Sequence, residues 1–331
     1  MNTNPLRLVV PALCIVPLFL SAEPRGTRIA FGVEAGAKVR KTITQTSQMQ
    51  LESLTMSVNG EERDMGELEQ RGESNEKYVF LDEYKQVEKG ELRALVRTYE
   101  EASDTQVQSM KSPRGEQSRE REAKTELLGK SVAFQFDAEK DEWKREFVGD
   151  AGDDALLPGL DAEYELLGLL PEAEVGAGDQ WELDTRALAA LAFPGGDLGM
   201  HGEDDNAAEV AGRKAMRDAF EGKGKATFKG LREEGGVSLA EIEFEADVSA
   251  KWDVERDGGA TEQRSMAMKL KGELAWNMSK QRAEHVEVER EGKLEMHAKS
   301  SMSRGEQSFE IATDTVLGLT GKDEFQFAPA D

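Results

Sequence analysis

From Ile242 to Val254 every second residue is apolar: Ile242, Phe244, Ala246, Val248, Ala250, Trp252 and Val254. Between them stand Glu243, Glu245, Asp247, Ser249, Lys251 and Asp253. A β-strand sends successive side chains to opposite faces, so this run makes one apolar face and one wet face. A helix would scatter the same residues around its axis. At about 3.3 Å per residue the run extends roughly 40 Å, longer than most strands.

The pattern recurs downstream. Met266, Met268, Leu270, Leu274, Trp276 and Met278 share one phase, and Val286, Val288, Leu294, Met296 and Ala298 follow. Asp257-Gly258-Gly259, Asn277 to Gln281 and Arg304-Gly305-Glu306 supply turn residues between the runs. Residues 237 to 314 therefore read as an antiparallel meander. The N-terminal half is noisier. Val39, Lys41 and Ile43 begin one alternating run, and Leu54, Met56 and Val58 another that ends at the hairpin signal Asn59-Gly60. Tyr78 to Tyr84, Leu92 to Tyr99 and the segment opened by Val132, Phe134 and Phe136 are further strands, the last turning at Glu139 to Asp141. The hairpin at 129–147 is similar to that at 272–288. A duplication and two independent hairpins both fit.

The middle of the chain differs. Asp150 to Asp184 holds eleven acidic residues and no Lys or Arg. Asp184 is placed to cap a short helix over Ala187 to Phe193, stopped by Pro194-Gly195-Gly196. Asn206 to Phe220 reads as a second helix with an alanine stripe at Ala208, Ala211, Ala215 and Ala219.

The formal net charge is −24, from 66 acidic and 42 basic residues. That excess argues against a nucleic-acid partner, because phosphate binding requires clustered positive charge. At the N-terminus, Arg7 followed by the apolar run Leu8 to Leu20 and the small pair Ser21-Ala22 reads as a secretory signal. The run is too short for a stable span, so no membrane span is expected after cleavage. Cys14, the one cysteine, lies inside it. The expected location is periplasmic or extracellular.

Catalytic signatures are sparse. His201, His285 and His297 form no HExxH pair. Gly129-Lys130-Ser131 lacks the upstream glycine of a phosphate loop, where Lys124 stands, and Thr227 interrupts the dinucleotide pattern begun by Gly222 and Gly224. No enzyme activity, cofactor or metal site is expected from these motifs. The candidate ligand-binding residues are apolar: Trp252, Met266, Met268, Leu270, Trp276 and Met278. They would line a hollow for an apolar small molecule, for which flexible methionine is suited, or pack as ordinary core.

The phrase Leu169-Leu170-Pro171-Glu172-Ala173-Glu174-Val175-Gly176-Ala177-Gly178-Asp179-Gln180-Trp181 resembles a segment of exported bacterial proteins in the uncharacterised DUF6263-like group. The Gly272 to Asn277 hairpin is similar to that group in style. The resemblance implies an envelope protein and transfers no catalytic residue.

The fold class expected is mainly β, with long antiparallel meander strands forming large curved sheets and one or two short helices in the middle third. The expected divisions are a signal peptide over 1–22, an N-terminal β half over 23–149, an acidic connector over 150–220 and a C-terminal meander over 221–331. Three roles fit. The first is an envelope protein that binds an apolar ligand or an envelope protein partner on a curved sheet. The others are a secreted hydrolase with paired carboxylates and a self-associating structural module.

Overall fold

The computed structural model describes residues 26–113, 115–149, 152–162, 166–202, 205, 207–256, 260–304 and 307–330. The signal-like segment and the turns at Asp257-Gly258-Gly259 and Gly305-Glu306 lie outside the described residues. So does part of the acidic connector.

The chain is mainly β, as its alternation dictates. The strands are β1 Lys38–Val58, β2 Glu61–Arg63, β3 Glu69–Glu88, β4 Glu91–Ser112, β5 Gly115–Lys124, β6 Ser131–Asp137 and β7 Glu142–Phe147. After the connector come β8 Gln180–Leu183, β9 His201–Gly202, β10 Glu221–Glu234, β11 Val237–Arg256, β12 Ala260–Asn277, β13 Arg282–Arg304 and β14 Gln307–Pro329. Two helices, α1 Thr185–Ala192 and α2 Ala207–Asp218, interrupt them. The side chain of Asp184 caps α1 by accepting from the Ala187 amide, as expected.

All the strands belong to one antiparallel sheet, whose main path is β7-β6-β4-β3-β1-β14-β13-β12-β11-β10-β8, with β2 paired to β1, β5 to β4 and β9 to β5 off that path. The first and last long strands pair at its centre, from Val39 opposite Pro329 to Val58 opposite Ile311. The two β halves are thus continuous. β13 and β14 each run 23 residues, roughly 75 Å, and β14 passes well beyond the Ile311 at which the sequence pattern fades.

The sequence phases change along some strands because of β-bulges. In β1 the odd residues Val39 and Ile43 face the core, whereas Leu54, Met56 and Val58 are even. A bulge between Leu51 and Ser53 inserts Glu52 and returns the later apolar residues to the same face. In β4 the extra residue is Glu100, between Tyr99 and Glu101. Each inserted acid points outward and meets a cation two strands away, Glu52 reaching across β14 and Glu100 across β3. Glu52 pairs with Lys293 at 2.5 Å and Glu100 with Arg40 at 2.7 Å.

The connector fills the end of the sheet nearest Val39 and Trp276, here called the closed end. Leu160, Leu166, Leu169, Leu188 and Leu191 are buried there with Phe80, Tyr99, Phe134, Phe228, Phe244, Trp276 and Phe325. The connector also meets both sheet edges. Arg145 of β7 donates to the Leu160 carbonyl at 2.7 Å, and the Trp181 indole of β8 donates to the Leu169 carbonyl at 3.2 Å. Helix α2 lies apart, with Ala208, Ala215, Met216 and Ala219 on a second apolar cluster of Ala250, Trp252 and Val254.

A buried ion triad sits inside the closed end. Asp82 accepts from Lys41 at 2.6 Å and from two Arg97 nitrogens at 2.8 Å each. Arg97 also donates to the Asp161 carbonyl of the connector at 2.8 Å. Burial alone would raise the Asp82 carboxyl, but Arg97 and then Lys41 override it and hold it at about 2. Asp82→Asn leaves both cations buried without their anion. We expect a loss of about 3–5 kcal/mol, read from the shift of the urea midpoint. Because the folded pKa lies below the unfolded one, this contribution is present above about pH 4 and disappears as pH falls through about 2.

Candidate binding cleft

Directly opposed residues of an antiparallel sheet lie on one face. The registers therefore define rows across the interior. One row reads Gly72 (β3), Met49 (β1), Leu319 (β14), Gly292 (β13), Met268 (β12), Val248 (β11) and Gly222 (β10). These residues line a cleft of about 1730 Å³, which also reaches Thr185 at the start of α1.

The glycines explain why the row stays hollow. A Cβ on Gly72 would come within 2.9 Å of the Met49 methyl, and one on Gly292 within 2.6 Å of Met268 Cγ. Each methionine packs against its neighbour's glycine, so the row itself is apolar, while polar residues such as Gln48, Gln50 and Lys269 also line the cleft. A Cβ on Gly222 would meet Leu188 of α1 at 2.7 Å, so that glycine lets the helix close the cleft from beneath.

The walls differ in polarity. On the β11–β14 side the next row toward the far end is Ala250, Met266, Leu294 and Leu317. On the β3–β4 side the same face carries Ser74, Glu76, Asp104 and Gln106, with Gln45 and Asp323 alongside on β1 and β14. Ser74 and Gln106 donate to Asp104 at 3.0 and 2.7 Å, and Tyr78 donates to Glu76 at 2.6 Å. Arg290 approaches Asp323 to 2.7 Å and donates to the Thr46 carbonyl at 3.3 Å. Burial outweighs the pull of Arg290 and pushes the Asp323 carboxyl up to about 7. Burial also raises Glu76, against the hydrogen bond from Tyr78.

The six residues singled out from sequence share the inward phase but not one site. Met268 lines the cleft. Met266 lies one row beyond it, packed against both apolar clusters. Leu270 and Trp276 are buried in the main core, Met278 packs at its margin, and Trp252 belongs to the cluster under α2. Sequence reading missed Met49, Leu319 and the glycines. Met49 and Leu319 sit amid polar neighbours in strands with weak alternation, and a glycine has no hydrophobic signal. It also missed the inward acids, which period-two reading assigns to the wet face. His285 and His297 pair with Glu287 and Asp314 toward the outside. Among the described residues, no group of three or more His, Cys, Asp or Glu could hold a metal ion.

No protein-family profile and no curated protein matches this chain. Among solved structures, an outer membrane channel from Pseudomonas putida F1 aligns with 90% of this chain and 97% of its own at 9% identity, with a TM-score of 0.21. A mutant porin from Rh. blastica aligns with 86% of this chain and 99% of its own at 8% identity, with a TM-score of 0.12. Scores this low carry no argument about fold or role.

Two measurements check the cleft. Gly292→Ala sets a Cβ against the Ala267 carbonyl oxygen as well as against Met268, so it should destabilise by about 1–3 kcal/mol in urea unfolding. Asp323 shifts oppositely to Asp82. Its raised folded pKa means the folded state holds the extra proton between about pH 4 and pH 7, so stability falls as pH rises through that window. Asp323→Asn should remove this part of the slope in a pH series of unfolding midpoints.

Proposed function

We propose that this is a non-enzymatic, exported protein of the cell envelope that shelters an apolar, chain-like ligand in its interior cleft. The observation that carries the reading is the Gly72–Met49–Leu319–Gly292–Met268–Val248–Gly222 row, an apolar wall kept open by glycines. Half-buried methionines adapt to ligands of varied shape. Export rests on the apolar segment Leu8 to Leu20 behind Arg7.

The outer face supports a protein standing in water. Glu243, Glu245, Asp247, Lys251 and Asp253 on β11, and Glu287, Glu289, Glu291, Lys293 and Glu295 on β13, are all exposed. A membrane barrel has the opposite arrangement, apolar outward and polar inward. A lipid-facing sheet would have to desolvate these charges at a cost of several kcal/mol.

A second reading, hydrolysis by paired carboxylates, has one observation in its favour. Glu76 and Asp323 face the interior and both are raised. It requires Glu76→Gln to abolish a measurable hydrolytic activity.

The binding reading is tested with a neutral apolar fluorophore such as phenylnaphthylamine, added to delipidated protein. Fluorescence should rise on binding, and Met268→Glu with Leu319→Glu should weaken binding at least about tenfold with the circular dichroism unchanged. No fluorescence gain with the wild-type chain would refute the reading.

A further inference from the structure

A second, smaller hollow of about 490 Å³ lies toward the far end of the same face. Its central residues are Trp252, Arg264, Met296 and Thr315, which form another row: Trp252 opposes Arg264, Arg264 opposes Met296, and Met296 opposes Thr315. On β12, Arg264 stands four residues before Met268, so the two hollows are roughly 13 Å apart. Only the Ala250–Met266–Leu294–Leu317 row separates them.

This end of the face is chemically distinct. Arg264 is partly exposed and uses its Nε to hold Glu262 at 2.6 Å. Arg264 lines the hollow, and its Nε is the nitrogen that this contact occupies. Trp252 is 9% exposed, and its indole N–H has no acceptor among the described residues. A buried donor without an acceptor is costly, and an acceptor arriving with a ligand would satisfy it. A guanidinium edge beside an indole N–H matches a carboxylate, which accepts several hydrogen bonds.

The other end of the cleft is a poor place for an anion. Arg290 is already engaged by Asp323 and the Thr46 carbonyl, and Glu76 and Asp104 face the same space. An anionic head there would meet three inward carboxylates, Asp323, Glu76 and Asp104, where the far-end hollow sets it beside one, the Glu262 that pairs with Arg264.

We propose that the far-end hollow takes the carboxylate of a long-chain fatty acid, held by Arg264 and Trp252, with its hydrocarbon tail laid over Met266 and Leu294 into the glycine–methionine cleft. This rests on the reading of the cleft as an apolar site, and adds the head group and the direction of the chain.

The test compares hexadecanoate, hexadecanol and hexadecyltrimethylammonium binding to the delipidated exported chain. Each is followed by tryptophan emission at physiological salt, where distant surface charges are screened. Hexadecanoate should bind at least about tenfold more tightly than the other two. Arg264→Gln should remove that advantage without weakening the alcohol, and Arg264→Lys, which keeps the charge but not the fork, should retain part of it. α-Bromohexadecanoate, with its quencher beside the carboxylate, should quench emission in the wild type and lose most of that effect in Trp252→Phe. Equal binding of acid and alcohol, an acid preference surviving in Arg264→Gln, or quenching unchanged in Trp252→Phe overturns the inference and leaves the cleft reading standing. Failure of all three probes to bind overturns both.

Discussion

The structure depends on the pairing of β1 with β14. These strands come from opposite ends of the described chain, yet they lie side by side for almost their full length. Their contact turns two meanders into one sheet and sets every interior row in register. The cleft crosses this seam, with Met49 on one strand and Leu319 on the other. Such a pairing joins residues far apart in sequence, so its loop-closure entropy has to be offset before its contacts form. The connector helps by filling the closed end and meeting both free edges, so the sheet curves round a packed core there and stays open beyond it.

Glycine and methionine divide the work of keeping that open part apolar. A row of leucines would fill the space with branched side chains. A row of glycines alone would expose backbone. Here the methionine of one strand packs against the glycine of the next, covering peptide groups with flexible thioether chains while leaving volume free. The same arrangement makes the wall intolerant of small additions, because a Cβ at Gly292 meets backbone as well as side chain.

Much of the fold was legible in the sequence. The C-terminal strands alternate cleanly because their inner face packs against apolar residues. The Asp184 cap, the Asn59-Gly60 turn and the packing of Ala208, Ala215 and Ala219 follow from local chemistry, whereas Ala211 is exposed and Met216 packs instead. The long reach of β3 and β4 was not legible, because inward positions such as Ser74, Glu76, Asp104 and Gln106 are polar and bond to one another or to Tyr78, which erases the alternation. Lys41 stands in phase with Val39 and Ile43, but nothing in the sequence joins it to Asp82 and Arg97, and charge is rarely buried. Only their mutual contact in space makes the interior acceptable. The cleft row is a property of register, which no single strand reveals. The candidate residues were therefore right in phase and scattered in position.

The bulges at Glu52 and Glu100 have a consequence for how this sequence can change. Each is an insertion that resets which residues face inward for the rest of its strand. A substitution at either position alters one outward ion pair. A deletion would shift the remainder of the strand by one residue and turn its inward side chains toward water. Length at these two points is thus under tighter constraint than identity. Descendants of this chain should vary freely in the residue they place there and hardly at all in whether one is present.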